Sequence, residues 1–166
     1  WRLYHDGRFD EAGTAFGRAL AGDPRSLPAL DGLGWSALRQ KRTAMAKPYF
    51  ERLLALYPEH PGALDGLALC LRAEGDTQAA VKIWERLVRY EPLTPGGFQH
   101  GAFRELGAVY AAQGDDRRAL PYLARAVTRN PRDREALKLL HRTAGRLLSS
   151  PQPPVPLPED VRPRLD

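Results

Sequence analysis

Apolar residues recur at helical spacing along most of the chain, and short polar segments interrupt them at regular intervals. Two of these segments read EGDTQ and QGDDR, in which glycine and aspartate favour a turn. The pattern therefore predicts pairs of amphipathic helices joined by tight turns. We place the helices at residues 27–40, 43–56, 61–74, 77–90, 100–113, 116–129 and 134–148.

The hydrophobic pattern repeats every 34 residues, as the phrases ALDGLG from Ala29 and ALDGLA from Ala63 show. Residues of other types keep the same spacing, and a fourth copy follows after a delay of five residues. The matching positions are Pro24, Pro58, Pro92 and Pro131; Ala12, Ala46, Ala80 and Ala119; and Phe16, Phe50, Trp84 and Leu123. Agreement at so many positions indicates a structural repeat, in which each unit buries its apolar face against the next.

Glycines mark the turn inside each unit. Gly7, Gly75 and Gly114 stand where the first helix of a pair must turn, and this position favours a left-handed backbone. Lys41 occupies the same position in the second copy. We therefore expect a backbone strain of roughly 1 kcal/mol at Lys41.

These motifs resemble the tetratricopeptide repeat, a helix-turn-helix unit with the pattern W-x2-L-G-x2-Y, A-x3-F and a final proline. The fourth copy matches it most fully, through Phe103, Leu106, Gly107, Tyr110, Ala119, Leu123 and Pro131. The resemblance implies an all-α, right-handed solenoid of stacked repeats over residues 1–148. It divides this domain into a partial repeat at 1–26, repeats at 27–60, 61–94 and 100–133, and a capping helix at 134–148.

Two segments depart from the repeat. An insertion, PGGFQ at residues 95–99, lengthens the connection between the third and fourth copies, and we expect Phe98 to be tucked under the fourth copy. Residues 149–166 hold six prolines and predict an extended tail or linker. The alternatives for the tail are a proline-rich ligand for another protein and an ordered arm that lies along the repeat body.

Composition excludes several classes of protein. Apolar residues make up 43% of the chain and charged residues 27%, which is typical of a folded soluble domain. The sequence leaves both a cytoplasmic and a periplasmic location open. No apolar run approaches the ~20 residues of a membrane-spanning helix. The net charge of +5, carried mainly by arginine, suits acidic partners, although codon composition would produce the same bias. Acidic and basic residues are mixed throughout, which disfavours nucleic-acid binding.

Catalytic chemistry has no motif in this sequence. The four histidines are far apart, and no nucleophile has a partnered base. Cys70 is the only cysteine, so it forms no internal disulfide, and we expect it to be a packed residue. We therefore predict a protein that is not an enzyme and holds neither a metal nor a cofactor.

The resemblance implies a concave groove, lined by the first helices, that binds a peptide or protein. Its positions map onto Tyr4, Asp31, Trp35, Leu38, Arg39, Asp65, Leu69, Arg72 and Arg104, with Glu105, Ala108 and Lys138 alongside. Aromatic and leucine side chains would form an apolar docking strip, and the arginines would hold carboxylates of the partner. Asp31 with Gly32, and Asp65 with Gly66, are expected to be available for contact. The basic residues of a chaperone-tail clamp are missing, so we do not expect that ligand.

A second candidate surface is a ridge of arginines, one on each second helix: Arg18, Arg52, Arg86 and Arg125. Such a ridge would suit phosphates, an anionic membrane surface or an acidic protein. Solvation alone is the competing explanation, since Glu51 and Glu85 stand beside two of these arginines.

Together these observations predict a scaffold that binds a protein or peptide in its groove. The alternative is an assembly subunit, or a piece of a longer chain, that docks into a multiprotein or membrane-associated complex through its outer face, ends and tail.

Overall fold

The computed structural model describes residues 1–89 and 99–149 of the chain. Within them the protein forms only helices and turns. The helices are α1 (Arg2–His5), α2 (Phe9–Gly22), α3 (Leu27–Arg39), α4 (Thr43–Leu56), α5 (Pro61–Ala73), α6 (Thr77–Arg89), α7 (Gln99–Ala112), α8 (Asp116–Arg129) and α9 (Arg134–Ser149). Each predicted helix begins and ends within one residue of these bounds. Residues 95–98 of the predicted insertion and 150–166 of the predicted tail lie outside the described residues.

The helices pack in pairs that stack side by side. The first helix of each pair contacts its own second helix, so that α3 packs on α4, α5 on α6 and α7 on α8. Each second helix also contacts the first helix of the next pair, and α9 packs on both α7 and α8. This arrangement buries the apolar face of every pair against its neighbours, as expected for a solenoid.

First helices lie closer together than second helices do. Helix α3 contacts α5, α5 contacts α7 and α7 contacts α9, whereas the second helices of the described chain make no comparable contact with one another. A stack that is tighter on one side curves toward that side. The first helices therefore line the concave face of the solenoid.

The turn between paired helices has a left-handed residue at its centre. Its φ is +78° at Gly7, +96° at Gly75 and +79° at Gly114, and Lys41 takes the same conformation with a φ of +61°. Glycine adopts this region without steric cost, whereas a residue with a Cβ does not. The left-handed conformation of Lys41 agrees with its predicted place in the turn, and the strain of roughly 1 kcal/mol stays a prediction.

Large rings of the second helices press against glycines of the first helices. A Cβ built on Gly32 would lie 2.4 Å from the Phe16 ring, and one built on Gly66 would lie 2.3 Å from the Phe50 ring. Gly34 faces Phe50 in the same way, at 2.6 Å. The repeated phrase ALDGL is therefore a packing signature, since glycine lets the helix approach the ring. The expectation that Gly32 and Gly66 are available for partner contact is wrong.

Candidate functional site

A half-buried apolar strip runs along the concave face on α3 and α5. Trp35, Leu38 and Leu69 are each partly exposed and pack at the edge of the core. The ring of Trp35 meets that of Phe50 edge-on, with 5.6 Å between their centroids. Core packing thus holds the strip in place while part of each side chain stays open to solvent.

The groove residues near the N-terminal end form an aromatic cluster. Tyr4 lies 5.3 Å from Phe9 and 5.5 Å from Trp1, measured between ring centroids. The guanidinium of Arg39 stands 5.0 Å from the centroid of Phe9, within range of a cation–π contact. Burial raises the pKa of Tyr4, and the neighbouring Arg39 acts against this rise. The fold thus brings together Tyr4 of α1 and Arg39 of α3, which were both predicted as groove residues.

Asp31 and Asp65 do not line an open surface, which corrects the sequence prediction. Their exposed fractions are only 8% and 7%. The indole Nε1 of Trp84 donates a hydrogen bond of 2.8 Å to Asp65 Oδ1. Burial raises the pKa of Asp65 to about 6, although the bond from Trp84 opposes the rise, and burial also raises the pKa of Asp31. These carboxyl groups contribute to packing between repeats.

Each buried aspartate faces the beginning of the next first helix. A Cβ built on Gly62, the second residue of α5, would lie 3.3 Å from Asp31 Oδ1. A Cβ built on Gly101, the third residue of α7, would lie 3.1 Å from Asp65 Oδ2. The positive end of a helix dipole favours a carboxylate at this place, and glycine leaves room for it. This contact offsets part of the cost of burying the two aspartates.

The arginines of the C-terminal half of the groove belong to an ion-pair network. Arg72 donates from Nη1 to Glu105, whose other oxygen accepts from Arg104 Nη2 at 2.8 Å. Arg104 also donates to Asp133 Oδ2 at 3.0 Å. Burial acts to raise the pKa of Asp133, but the hydrogen bonds from the Ala136 and Glu135 amides, together with the charge and hydrogen bond of Arg104, lower it overall. The network joins α5, α7 and the start of α9.

Glu105 is the centre of this network, and the sequence prediction missed its role. The signal was present, since Glu105 stands at the repeat position that Gly32 and Gly66 occupy in the two preceding copies. A carboxylate in place of a packing glycine needs cations nearby, because its side chain is only 8% exposed. Arg72 and Arg104, which the prediction assigned to a partner, supply those cations.

Two arginines of the outer ridge connect successive repeats. Arg52 donates from Nη2 to the carbonyl oxygen of Pro24, and Arg86 donates to Glu59. Both acceptors lie in the turn that precedes the arginine's own repeat. The ridge is therefore partly engaged in holding neighbouring repeats together, which the sequence prediction did not foresee.

The other two ridge arginines are Arg125 on α8 and Arg18 on α2. The guanidinium of Arg125 stands 5.9 Å from the ring centroid of Phe103. Arg18 is exposed on α2.

The described residues contain no group of three or more His, Cys, Asp or Glu side chains placed to hold a metal ion. Cys70 is fully buried, and burial raises the pKa of its thiol to about 11. Burial in the core confirms Cys70 as a packed residue, and the raised pKa keeps its thiol protonated near neutral pH. Among the helices of residues 1–89 and 99–149, none has the length and apolar character needed to cross a membrane.

Protein-family models match two parts of the chain, and both are described as tetratricopeptide repeat. One covers residues 32–97 and the other residues 100–143, so that together they span about two thirds of the sequence. No curated protein matches the chain.

Solved structures share the fold at low sequence identity. The APC/C hetero-tetramer Cut9–Hcn1 aligns over 87% of this chain with a TM-score of 0.71 and 19% identity. The chain spans only 27% of that relative's length. MamA aligns over 87% of this chain and 76% of its own, with a TM-score of 0.65 and 19% identity. YrrB aligns over 82% of this chain and 68% of its own, with a TM-score of 0.63 and 24% identity, and is described as having an unusual peptide-binding site.

Proposed function

Because the chain belongs to the tetratricopeptide repeat family, we propose that it is a scaffold that holds a peptide or protein segment against its concave face. The family is generally a non-catalytic protein-interaction fold. The observation that carries the proposal is the half-exposed strip of Trp35, Leu38 and Leu69, flanked on the same face by Arg39 and Arg72. Such a surface combines apolar contact area with fixed cations.

The arrangement favours an extended ligand over an enclosed small molecule. The strip and its flanking arginines lie on α3 and α5, and Arg104 adds a further cation on the next first helix, α7. An extended segment laid across these helices contacts all of them at once. YrrB, whose fold is similar, supports the proposal by its described peptide-binding site.

Panning a phage-displayed library of random dodecapeptides tests this proposal. Clones selected on the wild-type chain are rebound to Arg39→Glu and Trp35→Ala in the groove, and to Arg18→Glu on the outer face as a control with the same charge change. Tryptophan and arginine are enriched among the few interface residues whose truncation costs about 2 kcal/mol or more, so we expect the groove variants to lose at least about tenfold in binding. The Arg18→Glu control is expected to bind as the wild type does. The opposite pattern would place the binding surface outside the groove.

A second candidate function is that of an assembly subunit that docks through its outer face. Met45 on α4 is 55% exposed and Tyr57, directly after that helix, is 48% exposed. Burying these exposed apolar side chains against another subunit would stabilise such a contact. Under this candidate, Met45→Glu abolishes partner binding while Arg39→Glu leaves it unchanged. Equal binding by Met45→Glu and the wild type would exclude it.

A further inference from the structure

An open depression of about 470 Å³ lies between the C-terminal ends of α5 and α7. It is lined by Arg72, Thr77, Ala108, Val109, Ala112 and Gln113. Its volume lies toward the lower end of the ~300–1,000 Å³ range of ligand pockets, and it is open to solvent. A depression of this size and shape suits one side chain of a bound segment better than an enclosed small molecule.

Alanines of α7 create the depression. Ala108 stands at the repeat position that holds Trp35 on α3 and Leu69 on α5. Ala112 stands at the position of Arg39. The apolar strip of the groove is therefore interrupted at α7, where the fold leaves a space of the kind that a large apolar side chain fills.

Arg72 borders this space in a fixed orientation. One nitrogen, Nη1, donates to Glu105, and the guanidinium carbon stands 5.6 Å from the ring centroid of Trp84. An arginine carries five N–H donors in a planar fork, so the contact with Glu105 leaves donors for a second carboxylate. The side chain is 39% exposed, which gives a ligand access to those donors.

The ion-pair network beside the depression presents its cations to solvent. The carboxylates of the network are nearly closed to solvent, with exposed fractions of 8% at Glu105 and 9% at Asp133. The cations Arg72 and Arg104 are exposed by 39% and 33%. A ligand that approaches from solvent therefore meets the arginine side chains of the network before its carboxylates.

On the basis of the proposed scaffold function, we propose that the depression takes one aromatic or leucine side chain of an extended peptide, and that Arg72 binds a carboxylate next to it. The side chain packs on Ala108 and Ala112. Since Arg72 and these alanines line the same space, the carboxylate lies within about three residues of the apolar side chain, a span of about 10 Å in extended chain. It belongs either to an Asp or Glu side chain or to the C-terminus of the peptide.

The test uses the random dodecapeptide library and a matched pair of variants. Ala112→Leu fills the depression, and Ala124→Leu makes the same change at an exposed position of α8. We expect peptides selected on the wild type to share an aromatic or leucine residue followed or preceded closely by Asp or Glu. We expect Ala112→Leu to weaken their binding at least about tenfold, and Ala124→Leu to leave it unchanged.

Synthetic versions of the selected peptide test each half of the proposal. Replacing the apolar residue with Ala, or the acid with its amide, is expected to reduce affinity about tenfold or more in fluorescence anisotropy. Comparison of free-acid and amidated peptides distinguishes an internal carboxylate from a C-terminal one. On Arg72→Gln, the acid and its amide are expected to bind equally.

The outcomes separate the two proposals. Suppose that selected peptides bind and that Arg39→Glu weakens their binding. If these peptides lack the apolar–acidic pair, or if Ala112→Leu leaves their binding unchanged, the inference about the depression is wrong and the scaffold function stands. If no selected peptide depends on the groove variants, both are wrong.

Discussion

The buried carboxyl group of Asp65 makes a prediction that depends on pH. Asp65→Asn keeps an oxygen that accepts the hydrogen bond from Trp84 and removes the charge that burial disfavours. The side chain changes little in volume, so packing between α5 and α7 is preserved. The substitution therefore isolates the electrostatic cost of the buried group.

The size of the effect follows from the pKa of Asp65, which burial raises from 3.8 to about 6. Between these values the folded state binds more protons than the unfolded state, so the stability of the wild type falls as pH rises through this window. Once Asp65 is ionised in both the folded and the unfolded state, the loss in the free energy of unfolding amounts to about 3 kcal/mol. Asp65→Asn escapes this loss because an amide does not titrate.

Urea unfolding followed by far-UV circular dichroism measures the effect. Asp65→Asn and the wild type are expected to have similar free energies of unfolding at about pH 4, and the variant is expected to be more stable by about 3 kcal/mol at about pH 7.5. Asp10→Asn, at an exposed position of α2, is the control and changes little at either pH. A variant that is no more stable than the wild type at the higher pH refutes the reasoning.

Three further predictions concern stability, each measured by the same unfolding assay. Lys41→Gly is expected to raise the free energy of unfolding by about 1 kcal/mol, because the φ of +61° at this position suits glycine better than a residue with a Cβ. An unchanged free energy of unfolding would contradict the inferred strain at Lys41. Gly66→Ala is expected to destabilise by about 1–3 kcal/mol, because its Cβ meets the Phe50 ring. Gly145→Ala, whose Cβ meets nothing within 4 Å, is the control and gains about 0.5–1 kcal/mol. Glu105→Gln is expected to lower the free energy of unfolding by about 1–3 kcal/mol, because Arg72 and Arg104 then lack their shared carboxylate. An unchanged free energy of unfolding would contradict the central role of Glu105 in the ion-pair network.

The helices and turns could be predicted from the sequence because they depend on local and repeated signals. Apolar spacing marks each helix, and the left-handed conformation of Lys41 follows from its alignment with Gly7, Gly75 and Gly114. The small residues of the ALDGL phrase also indicate close packing. Alignment between copies is sufficient for features that every copy shares.

The contacts of the groove could not be predicted in the same way, because they join residues that differ between copies. Asp65 is paired with Trp84, and only the third copy has an indole at that position. Arg72 reaches Glu105, 33 residues later, where the two preceding copies have glycine. Assigning helical positions to a face of the solenoid identifies candidates for binding. It does not show which of them are already engaged by a neighbouring repeat.

Outer-face contacts were missed for a related reason. A position that holds arginine in all four copies resembles a binding ridge when only the sequence is known. In the fold, Arg52 reaches the carbonyl of Pro24 and Arg86 reaches Glu59, so the shared position also serves the connection between repeats. Their acceptors are a backbone oxygen in one case and a side chain in the other, and no sequence motif marks both.

The central claim is that the concave face of the first helices binds the partner. The most direct test is to map a selected dodecapeptide onto the isotope-labelled chain through its amide NMR chemical shifts. We predict that the shifts change on α3, α5 and α7, around Trp35, Leu69 and Ala108. Changes confined to the second helices α4, α6 and α8 would contradict the claim.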